Sequence, residues 1–442
     1  MDNGLEPQPY PSGPLDSSRW DIRLVHLLPG QYEDPIQCTL SNMTLCPRSD
    51  QLDLLGQTPS SKPQRYETLS YVWGPLDILL PIDLNGFSDY RITKNLEHAL
   101  RRLRLGQGTR TLWVDAICIN QYDASERARQ VKLMDHIYEN ASDVLVWLGD
   151  AGDIAGDKLE FQQSVPNVEH EHTQLQVLQQ AIRNTSPRWW DRAWIVQEFV
   201  KAYREPLICF GRYETSLQHL QAEMLNHDRR QLNILCSEAE SFRVMLAQLM
   251  AFRANNRQAD SERSILHFWE SVTKLDCLDA RDKVYSLFNL LPPLEASVIE
   301  PDYIASVGAC FARATFANIH ATGKLHALAL VDFRDTRPGD LPSWAIDFTQ
   351  RNDVLKEHRF NADHFDSCFA GSVAWTSMQF AASYKPPLTK PTLTSDGQGL
   401  TVQGSIFDYV AATCDLSTGW SHDWHLNDEQ YAHILTRVSN LP

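Results

Sequence analysis

The chain has 442 residues, of which 43% are hydrophobic and 22% are charged, a composition typical of a globular protein with two or three domains. Its formal net charge of -16 argues against non-specific nucleic-acid binding and against adhesion to an anionic membrane, because both need a basic face. The sequence has neither a signal-peptide pattern nor an apolar run of membrane-span length, so we expect a cytoplasmic protein without a membrane span.

The N-terminal part of the chain is expected to contain little regular structure. Residues 1–20 are rich in Pro, Gly and Ser, which predicts a disordered lead-in. Residues 21–63 are expected to form an N-terminal strand pair, in which Pro29-Gly30 is the turn and Ile36–Leu40 the candidate returning strand. A loop at residues 56–64 ends this section.

Strands and helices alternate through residues 64–215, which predicts an α/β core. The apolar runs that favour strands are Leu69–Trp73, Leu112–Ile119, Val144–Leu148 and Leu207–Phe210. Helices are predicted to begin after Thr93, at the capping pair Asp123 and Glu126, and at Ser186-Pro187. This order is typical of a parallel sheet with helices on both faces, in which ligands bind beyond the carboxyl ends of the strands.

The chain beyond the core is predicted to be helical and then mixed. Residues 216–330 contain helix candidates at Glu238–Phe252, Ile265–Val272 and Arg281–Leu291. Residues 331–442 are expected to be a mixed α/β region with short strands such as Leu400–Gly404. Within the core, the acidic residues 151–173 are expected to form a surface loop.

Several common chemistries lack their sequence motifs. The Gly106-x-Gly108 pair lies between a helix and a strand, whereas a dinucleotide fingerprint follows a strand and opens a helix. The sequence contains no G-x-x-x-x-G-K-[ST] phosphate loop and no G-x-S-x-G nucleophile motif. Its nine cysteines include no C-x-x-C pair and no zinc-ligand spacing, so we expect reduced, mostly buried thiols and no metal site.

Three motifs occur in the order that one family shows. YETLSYVWG (Tyr66–Gly74), LWVDAICINQ (Leu112–Gln121) and RWWDRAWIVQE (Arg188–Glu198) resemble the signature blocks of the heterokaryon-incompatibility (HET) domain. The trailing LDARDKVYSLFNLLP (Leu278–Pro292) is similar too, so the resemblance covers about residues 22 to 350. It implies an α/β fold with a TIR/flavodoxin-like parallel sheet flanked by helices, in an incompatibility or immunity effector that triggers regulated cell death in a filamentous fungus.

The resemblance also implies a reaction. HET domains are similar to Toll/interleukin-receptor (TIR) domains, some of which cleave NAD with a helical glutamate four residues after a tryptophan, and Trp194 and Glu198 have this spacing. The spacing of Trp190, Trp194 and Glu198 at i, i+4 and i+8 independently predicts that they share one helix face. A carboxylate beside large aromatic rings is expected to be partly desolvated and poised for chemistry. NAD would then be a substrate, with no retained cofactor.

The predicted reaction breaks the bond between nicotinamide and ribose through a transition state with oxocarbenium character. Glu198 would be the catalytic residue, either holding a ribose hydroxyl or stabilising the developing positive charge. Ser70, Asn120 and Gln121 would orient ribose and phosphate by hydrogen bonds. The other candidate binding residues are the cleft walls Tyr71 and Trp73, together with Gly74, Asp115, Trp190, Arg192, Trp194 and Gln197.

The aromatic and acidic candidates of the third motif also have a structural interpretation. Trp190 and Trp194 could belong to the core, as tryptophans on amphipathic helices commonly do. Glu198 could be an anchor that pairs with Arg192 or Arg188. Catalysis and structure are both open for this residue.

Three other positions favour a structural role. Asp115 is expected within an apolar strand, as a buried partner of an arginine or a backbone amide, with catalysis as the second interpretation. Cys118 is expected to be a small buried hydrophobe. Arg281 and Asp282 are expected to form an ion pair at the start of a helix.

Two functions other than catalysis stay open. The domain could be a non-catalytic adaptor that acts by homotypic docking, in which case Gln would be tolerated at position 198. It could also be a sensor that binds an NAD-derived nucleotide without turning it over. Without a phosphate loop to drive assembly, we expect activation by self-association or by another incompatibility protein, and no nucleic-acid partner.

Overall fold

The computed structural model describes residues 8–45, 64–150, 188–211, 213–220, 237–256, 264–272, 274–323, 326–331, 338–350, 392–393 and 399–401. The predictions for the acidic residues 151–173, for a helix start at Ser186-Pro187 and for most of residues 331–442 lie outside these ranges.

Nine strands in the described part of the chain form one sheet. They are β1 (Asp21–Leu27), β2 (Gln37–Thr44), β3 (Glu67–Tyr71), β4 (Leu79–Leu84), β5 (Phe87–Thr93), β6 (Arg110–Trp113), β7 (Val144–Trp147), β8 (Leu207–Phe210) and β9 (Tyr213–Ser216). Their order in the sheet is β5-β4-β2-β1-β6-β3-β7-β8-β9. All four residues of β7 and four of the five in β3 are buried, which places the core around these central strands.

The sheet is mixed, so the predicted α/β class is confirmed but the predicted parallel arrangement holds only for its central strands. The neighbours β6, β3, β7 and β8 are parallel, as predicted, and β2 and β4 also pair in parallel. The pairs β1–β2, β1–β6, β4–β5 and β8–β9 are antiparallel. The central strands are joined by long connections, whereas β1–β2, β4–β5 and β8–β9 are each joined by a short loop, which produces antiparallel neighbours.

The N-terminal residues belong to the same assembly. The hairpin prediction is confirmed, since β1 and β2 pair from Asp21 and Thr44 to Leu27 and Cys38. Residues 8–20 are not the disordered lead-in that the composition predicted. The Tyr10 hydroxyl donates to the carbonyl of Ile117 at 2.6 Å, and Leu15 is buried. The hydrogen bond to Ile117 and the burial of Leu15 therefore order a segment whose composition favours disorder.

Residues 217–220 are helical, and nine helices have both ends within the described residues. They are α1 (Lys94–Leu103), α2 (Asp115–Cys118), α3 (Ala124–Asn140), α4 (Ile195–Val200), α5 (Ser237–Asn256), α6 (Ile265–Val272), α7 (Asp282–Tyr285), α8 (Pro293–Ala296) and α9 (Val307–Thr322). Short 3-10 turns lie at Trp189–Asp191, Phe288–Leu290 and His326–Leu330, and Thr392–Leu393 (β10) pairs with Leu400–Thr401 (β11). In this part of the chain, no helix has the length and apolarity needed to cross a membrane.

The predicted start of α3 is confirmed. The Asp123 carboxylate accepts hydrogen bonds from the backbone N–H groups of Ser125 and Glu126, which satisfies two donors at the helix terminus. Glu126 does not complete a capping box. Its carboxylate accepts from the Asn120 backbone N–H at 2.7 Å and from the Arg23 guanidinium instead. Tertiary contacts therefore replace the local partner.

The prediction of one strand over Leu112–Ile119 is wrong. Strand β6 ends at Trp113, and the chain turns into α2, where the Cys118 backbone N–H donates to the carbonyl of Val114 at 2.7 Å. Both conformations bury the apolar residues of this run, so its hydrophobicity alone cannot separate a long strand from a strand followed by a helical turn. Asp115 consequently lies just beyond the strand, at the first residue of α2.

The prediction of one helix from Ser186-Pro187 to Glu198 is also wrong within the described residues. After the 3-10 turn, Arg192 is extended and forms a β-bridge with Asp276, while α4 begins only at Ile195. The Ala193 backbone N–H donates to the Asp276 carbonyl at 2.9 Å, so pairing with a distant segment interrupts the helix. Trp190 and Glu198 therefore do not share one helix face.

The single amphipathic helix predicted over Arg281–Leu291 is wrong as well. The structure has α7 and then the 3-10 turn at Phe288–Leu290. Contacts to other segments override the local periodicity, since the Tyr285 hydroxyl donates to the Asp302 carbonyl at 3.0 Å. The predicted helices over Glu238–Phe252 and Ile265–Val272 are confirmed as α5 and α6.

Candidate functional site

A cavity of about 420 Å³ lies beyond the carboxyl ends of β3 and β6. After β3 the chain passes through β4 and β5, then forms β6 on one side of β3 and β7 on the other, so the order of the parallel strands reverses at β3. Ligands of α/β sheets bind outside such a reversal, where the two connections leave a crevice. The volume is within the range of roughly 300–1,000 Å³ usual for small-molecule sites.

The cavity has walls from two parts of the chain. The segments after β3 and β6, the helix α3 and the segment 192–198 form one side. The other side comes from residues 276–303, far along the sequence. The lining residues are Val72, Trp73, Gly74, Leu76, Asp115, Ile119, Gln121, Arg127, Val131, Met134, Arg192, Trp194, Glu198, Asp276, Cys277, Leu278, Asp279, Asp282 and Tyr303.

Glu198 is held on several sides. Its side chain is 3% exposed, and both carboxylate oxygens accept from the Arg192 guanidinium, at 3.0 and 3.2 Å. The Ser70 hydroxyl also donates to this carboxylate and itself accepts from the Trp189 indole N–H at 2.7 Å. Two-pronged arginine–carboxylate pairs fix geometry strongly, so Glu198 has one well-defined position at the cavity wall.

Asp115 forms the part of the wall next to Glu198. Its carboxylate accepts from the Trp73 indole N–H at 2.9 Å and from the Ala116 backbone N–H at 2.7 Å. Burial raises the pKa of Asp115, while the Arg192 guanidinium opposes that rise. The Gln121 side chain donates to the Asp115 carbonyl at 2.9 Å, which attaches the segment after α2 to the same wall. The predicted backbone-amide partner of Asp115 is thus present.

Asp282 lies on the opposite wall and was not expected there. Its carboxylate accepts from the Trp194 indole N–H at 3.1 Å and from the Tyr303 hydroxyl at 2.7 Å. Burial, with a further contribution from the Asp279 carboxylate, raises the pKa of Asp282 to about 6. Asp282 is thus a carboxyl group that changes its charge near neutral pH.

The predicted ion pair between Arg281 and Asp282 is wrong. Arg281 binds Asp279 with two nitrogens, at 2.9 and 2.7 Å, and donates to the carbonyls of Tyr303 and Ala305 at 2.6 Å. The Arg281 guanidinium therefore binds Asp279 and the two carbonyls, whereas the Asp282 carboxylate faces the cavity.

Five of the predicted site residues do not line the cavity. Ser70 and Tyr71 are buried in β3, and Ser70 contacts Glu198 from behind. Trp190 packs on Phe242 with ring centroids 4.9 Å apart, so the core interpretation applies to it.

Asn120 and Gln197 also have partners outside the cavity. The Asn120 side-chain oxygen accepts from the backbone N–H of Tyr122 at 3.2 Å. Gln197 is fully buried, and its amide lies beside the carbonyl of Ser286 and the side chain of Asn289. The predicted site residues that the structure brings together at the cavity are Trp73, Gly74, Asp115, Gln121, Arg192, Trp194 and Glu198.

Sequence reasoning missed the whole second wall. Asp276, Asp279, Asp282 and Tyr303 contribute to it, and their sequence separation from the three motifs hides their proximity. The sequence feature that could have indicated this wall is the charged LDARD run within Leu278–Pro292. The run leads into a short helix and has more charged residues than a helix packed against the core usually has.

Most of the described cysteines are buried, as the sequence predicted. The described cysteines are all free, and Cys118 is buried with its pKa raised to about 12 by burial. Because the thiolate is the reactive form, Cys118 is a packing residue rather than a nucleophile.

The fold and the cavity define an α/β protein with a ligand-sized site at the strand-order reversal of its sheet. The chain is similar to the family described as Heterokaryon incompatibility protein (HET), whose match covers residues 66–198. It is 24% identical to heterokaryon incompatibility protein 6, OR allele, of Neurospora crassa, over 77% of this chain. The chain spans about 60% of the length of that curated relative. No solved structure matches the chain significantly.

Proposed function

We propose that this protein acts in heterokaryon incompatibility by binding an NAD-type nucleotide in the cavity and cleaving its nicotinamide–ribose bond. The observation that carries the proposal is the position of Glu198, whose carboxylate is held at the wall of a ligand-sized cavity beside Trp194. The parallel strands β6-β3-β7-β8 have the order 2-1-3-4 along the chain, which supports a flavodoxin-like and TIR-like core.

The proposed reaction depends on the negative charge of the Glu198 carboxylate. The bond between ribose C1′ and the nicotinamide nitrogen breaks, and nicotinamide leaves as a neutral ring with the electron pair. The ribose then carries positive charge, which the Glu198 carboxylate stabilises. Water adds to C1′ and releases a proton, so the products are nicotinamide and ADP-ribose. Ser70 and Arg192 act as positioning residues, because they hold Glu198 in place.

A second candidate is a receptor or adaptor that uses the cavity without chemistry. It is favoured by the low exposure of Glu198 and by its full set of partners, since these are also the features of a structural anchor. In that case an NAD-derived nucleotide would bind intact, and its binding would promote self-association or docking to another incompatibility protein.

The test is NAD loss by the purified full-length chain at high protein concentration, beside a Glu198→Gln variant. The matched control is Glu33→Gln, an exposed carboxylate in the loop between β1 and β2. We expect wild type and the control to release nicotinamide, and Glu198→Gln to be slower by a factor on the order of 100 or more.

Either of two results would separate the candidates. Unchanged cleavage by a folded Glu198→Gln variant would remove Glu198 from catalysis. Binding of intact NAD by both proteins, without product even at concentrations that force assembly, would leave the receptor function in place of the enzyme.

A further inference from the structure

Unlike Glu198 and Asp279, Asp282 has only neutral hydrogen-bond partners among the described residues. Glu198 is paired with Arg192, and Asp279 with Arg281. Asp282 accepts from one indole and one phenol, and no basic side chain of the described residues forms an ion pair with it. When ionised, Asp282 therefore keeps a negative charge that no directly bound cation cancels.

The two donors to Asp282 are aromatic rings that line the same cavity. One of them already binds a planar cation, because the Arg127 guanidinium carbon lies 3.8 Å from the centre of the Tyr303 ring. The other, Trp194, lies at the wall with its indole N–H bonded to the carboxylate. Tryptophan is the aromatic side chain with the strongest attraction for cations, and a nearby carboxylate adds to that attraction.

The charges around the cavity point the same way. Five lining residues are acidic, namely Asp115, Glu198, Asp276, Asp279 and Asp282, and two are basic, Arg127 and Arg192. An excess of carboxylates in a partly desolvated cavity favours a positively charged ligand, because buried negative charge is costly without a counter-ion.

We propose that Asp282 is a specificity-determining residue, which makes the cavity prefer a ligand with a positively charged aromatic ring over the same ring without the charge. The ring stacks on Trp194, and Asp282 supplies the opposite charge at its edge. This inference rests on the proposed function for the identity of the ring, since nicotinamide carries a positive charge while it is attached to ribose in NAD and loses it on leaving. The same preference would release the neutral product.

The test compares two probes that differ in ring charge and one methyl group. The 1-methylnicotinamide cation and neutral nicotinamide contain no ribose, so their binding is independent of cleavage. Isothermal titration calorimetry on the full chain at pH 7.5 measures both affinities for wild type, Asp282→Asn and the control Asp89→Asn. Asp89 is 61% exposed on β5, away from the cavity. We expect wild type and the control to favour the cation about tenfold, and Asp282→Asn to bind both probes about equally.

If Asp282→Asn does not fold, the pH dependence of probe binding by wild type tests the inference instead. The charged or titratable groups facing Asp282 are Asp276, Cys277, Asp279, Arg127 and Tyr303. Burial raises the pKa of Cys277 to about 12 and that of Tyr303 well above 10, while Arg281 holds the pKa of Asp279 below its usual range. Wild type should therefore lose much of its preference between pH 8 and pH 5, as Asp282 takes up a proton, and Asp282→Glu should retain the preference at pH 8.

Three results would overturn the inference. They are equal binding of the two probes by wild type at pH 8, an undiminished preference in folded Asp282→Asn, and no detectable binding of either probe. A clear preference for the cation together with no NAD cleavage would refute the proposed function and leave the role of Asp282 standing. Cleavage of NAD without any preference would do the reverse.

Discussion

Replacing Arg23 with alanine should lower the free energy of unfolding by about 3–5 kcal/mol, because it leaves the Glu126 carboxylate buried without its counter-ion. The two side chains are 1% and 3% exposed, and their atoms meet at 2.6 and 3.0 Å. The guanidinium also donates to the carbonyl of Cys118 at 3.1 Å and to that of Gly13 at 2.8 Å. It therefore joins β1, α2, α3 and the N-terminal segment in one network.

The expected loss is large against the total stability of a folded domain, which is about 5–15 kcal/mol. Urea unfolding followed by circular dichroism should show the midpoint of Arg23→Ala lowered by about 1 M or more. A matched comparison is Arg91→Ala, since Arg91 and Asp89 are 47% and 61% exposed and such a pair contributes at most about 1 kcal/mol. Replacing Arg23 and Glu126 together with methionine should recover much of the loss, because no unpaired charge remains.

The reasoning would be refuted if Arg23→Ala were as stable as Arg91→Ala, or if the double replacement were no more stable than Arg23→Ala. The cavity provides a second measurement. Glu126 also accepts from the backbone N–H of Asn120, next to the lining residue Gln121. Loss of Arg23 should therefore weaken ligand binding in the cavity even at temperatures where the variant is folded.

Three further predictions concern the cavity wall. Gly74→Ala should lower the free energy of unfolding by about 1–2 kcal/mol, because Gly74 has φ +80°. This cost is one of backbone strain alone, since the new Cβ would make only an ordinary contact of 3.6 Å. The control Gly106→Ala, in open space, should cost far less in urea unfolding, and equal costs would contradict this reasoning. Asp282→Asn should be more stable than wild type at pH 7. The carboxyl pKa is about 6 in the folded state and 3.8 in the unfolded state, so wild type loses up to about 3 kcal/mol of stability as the pH rises from about 4 to 6. Urea unfolding at pH 4 and pH 7 should show this loss only in wild type. The Cys277 thiol, whose pKa burial raises to about 12, should react with iodoacetamide at pH 8 much more slowly in the folded than in the unfolded chain, and mass spectrometry showing equal rates would contradict its assigned environment.

Local patterns were reliable where burial and capping agree with the final structure. The apolar runs at Val144–Leu148 and Leu207–Phe210 predicted β7 and β8, and Asp123 predicted the start of α3. Each of these elements depends on residues close together in the sequence. Four of the seven predicted site residues at the cavity, Trp73, Gly74, Asp115 and Gln121, have a related reason, since they follow the parallel neighbours β3 and β6, whose carboxyl ends meet at one edge.

Local patterns failed where a distant segment supplies the partner. Trp190 and Glu198 have helical spacing, yet the pairing of Arg192 and Ala193 with Asp276 interrupts the helix between them. Arg281 and Asp282 are adjacent, yet Asp279 takes the guanidinium and two aromatic side chains take the Asp282 carboxylate. Helical periodicity and charge order describe only what a segment can do alone, so neither could anticipate these contacts.

The sequence by itself determined the resemblance of residues 66–198 to one family and the parallel centre of the sheet, and it predicted the edge of that sheet where the cavity lies. Only the tertiary structure decided which side chains enclose the cavity and what state of charge they have. Asp282 is 84 residues from Glu198 in the sequence, and it faces the same cavity because Asp276 pairs with Arg192. Its raised pKa is a property of burial among side chains from distant segments, and such surroundings exist only in the folded chain.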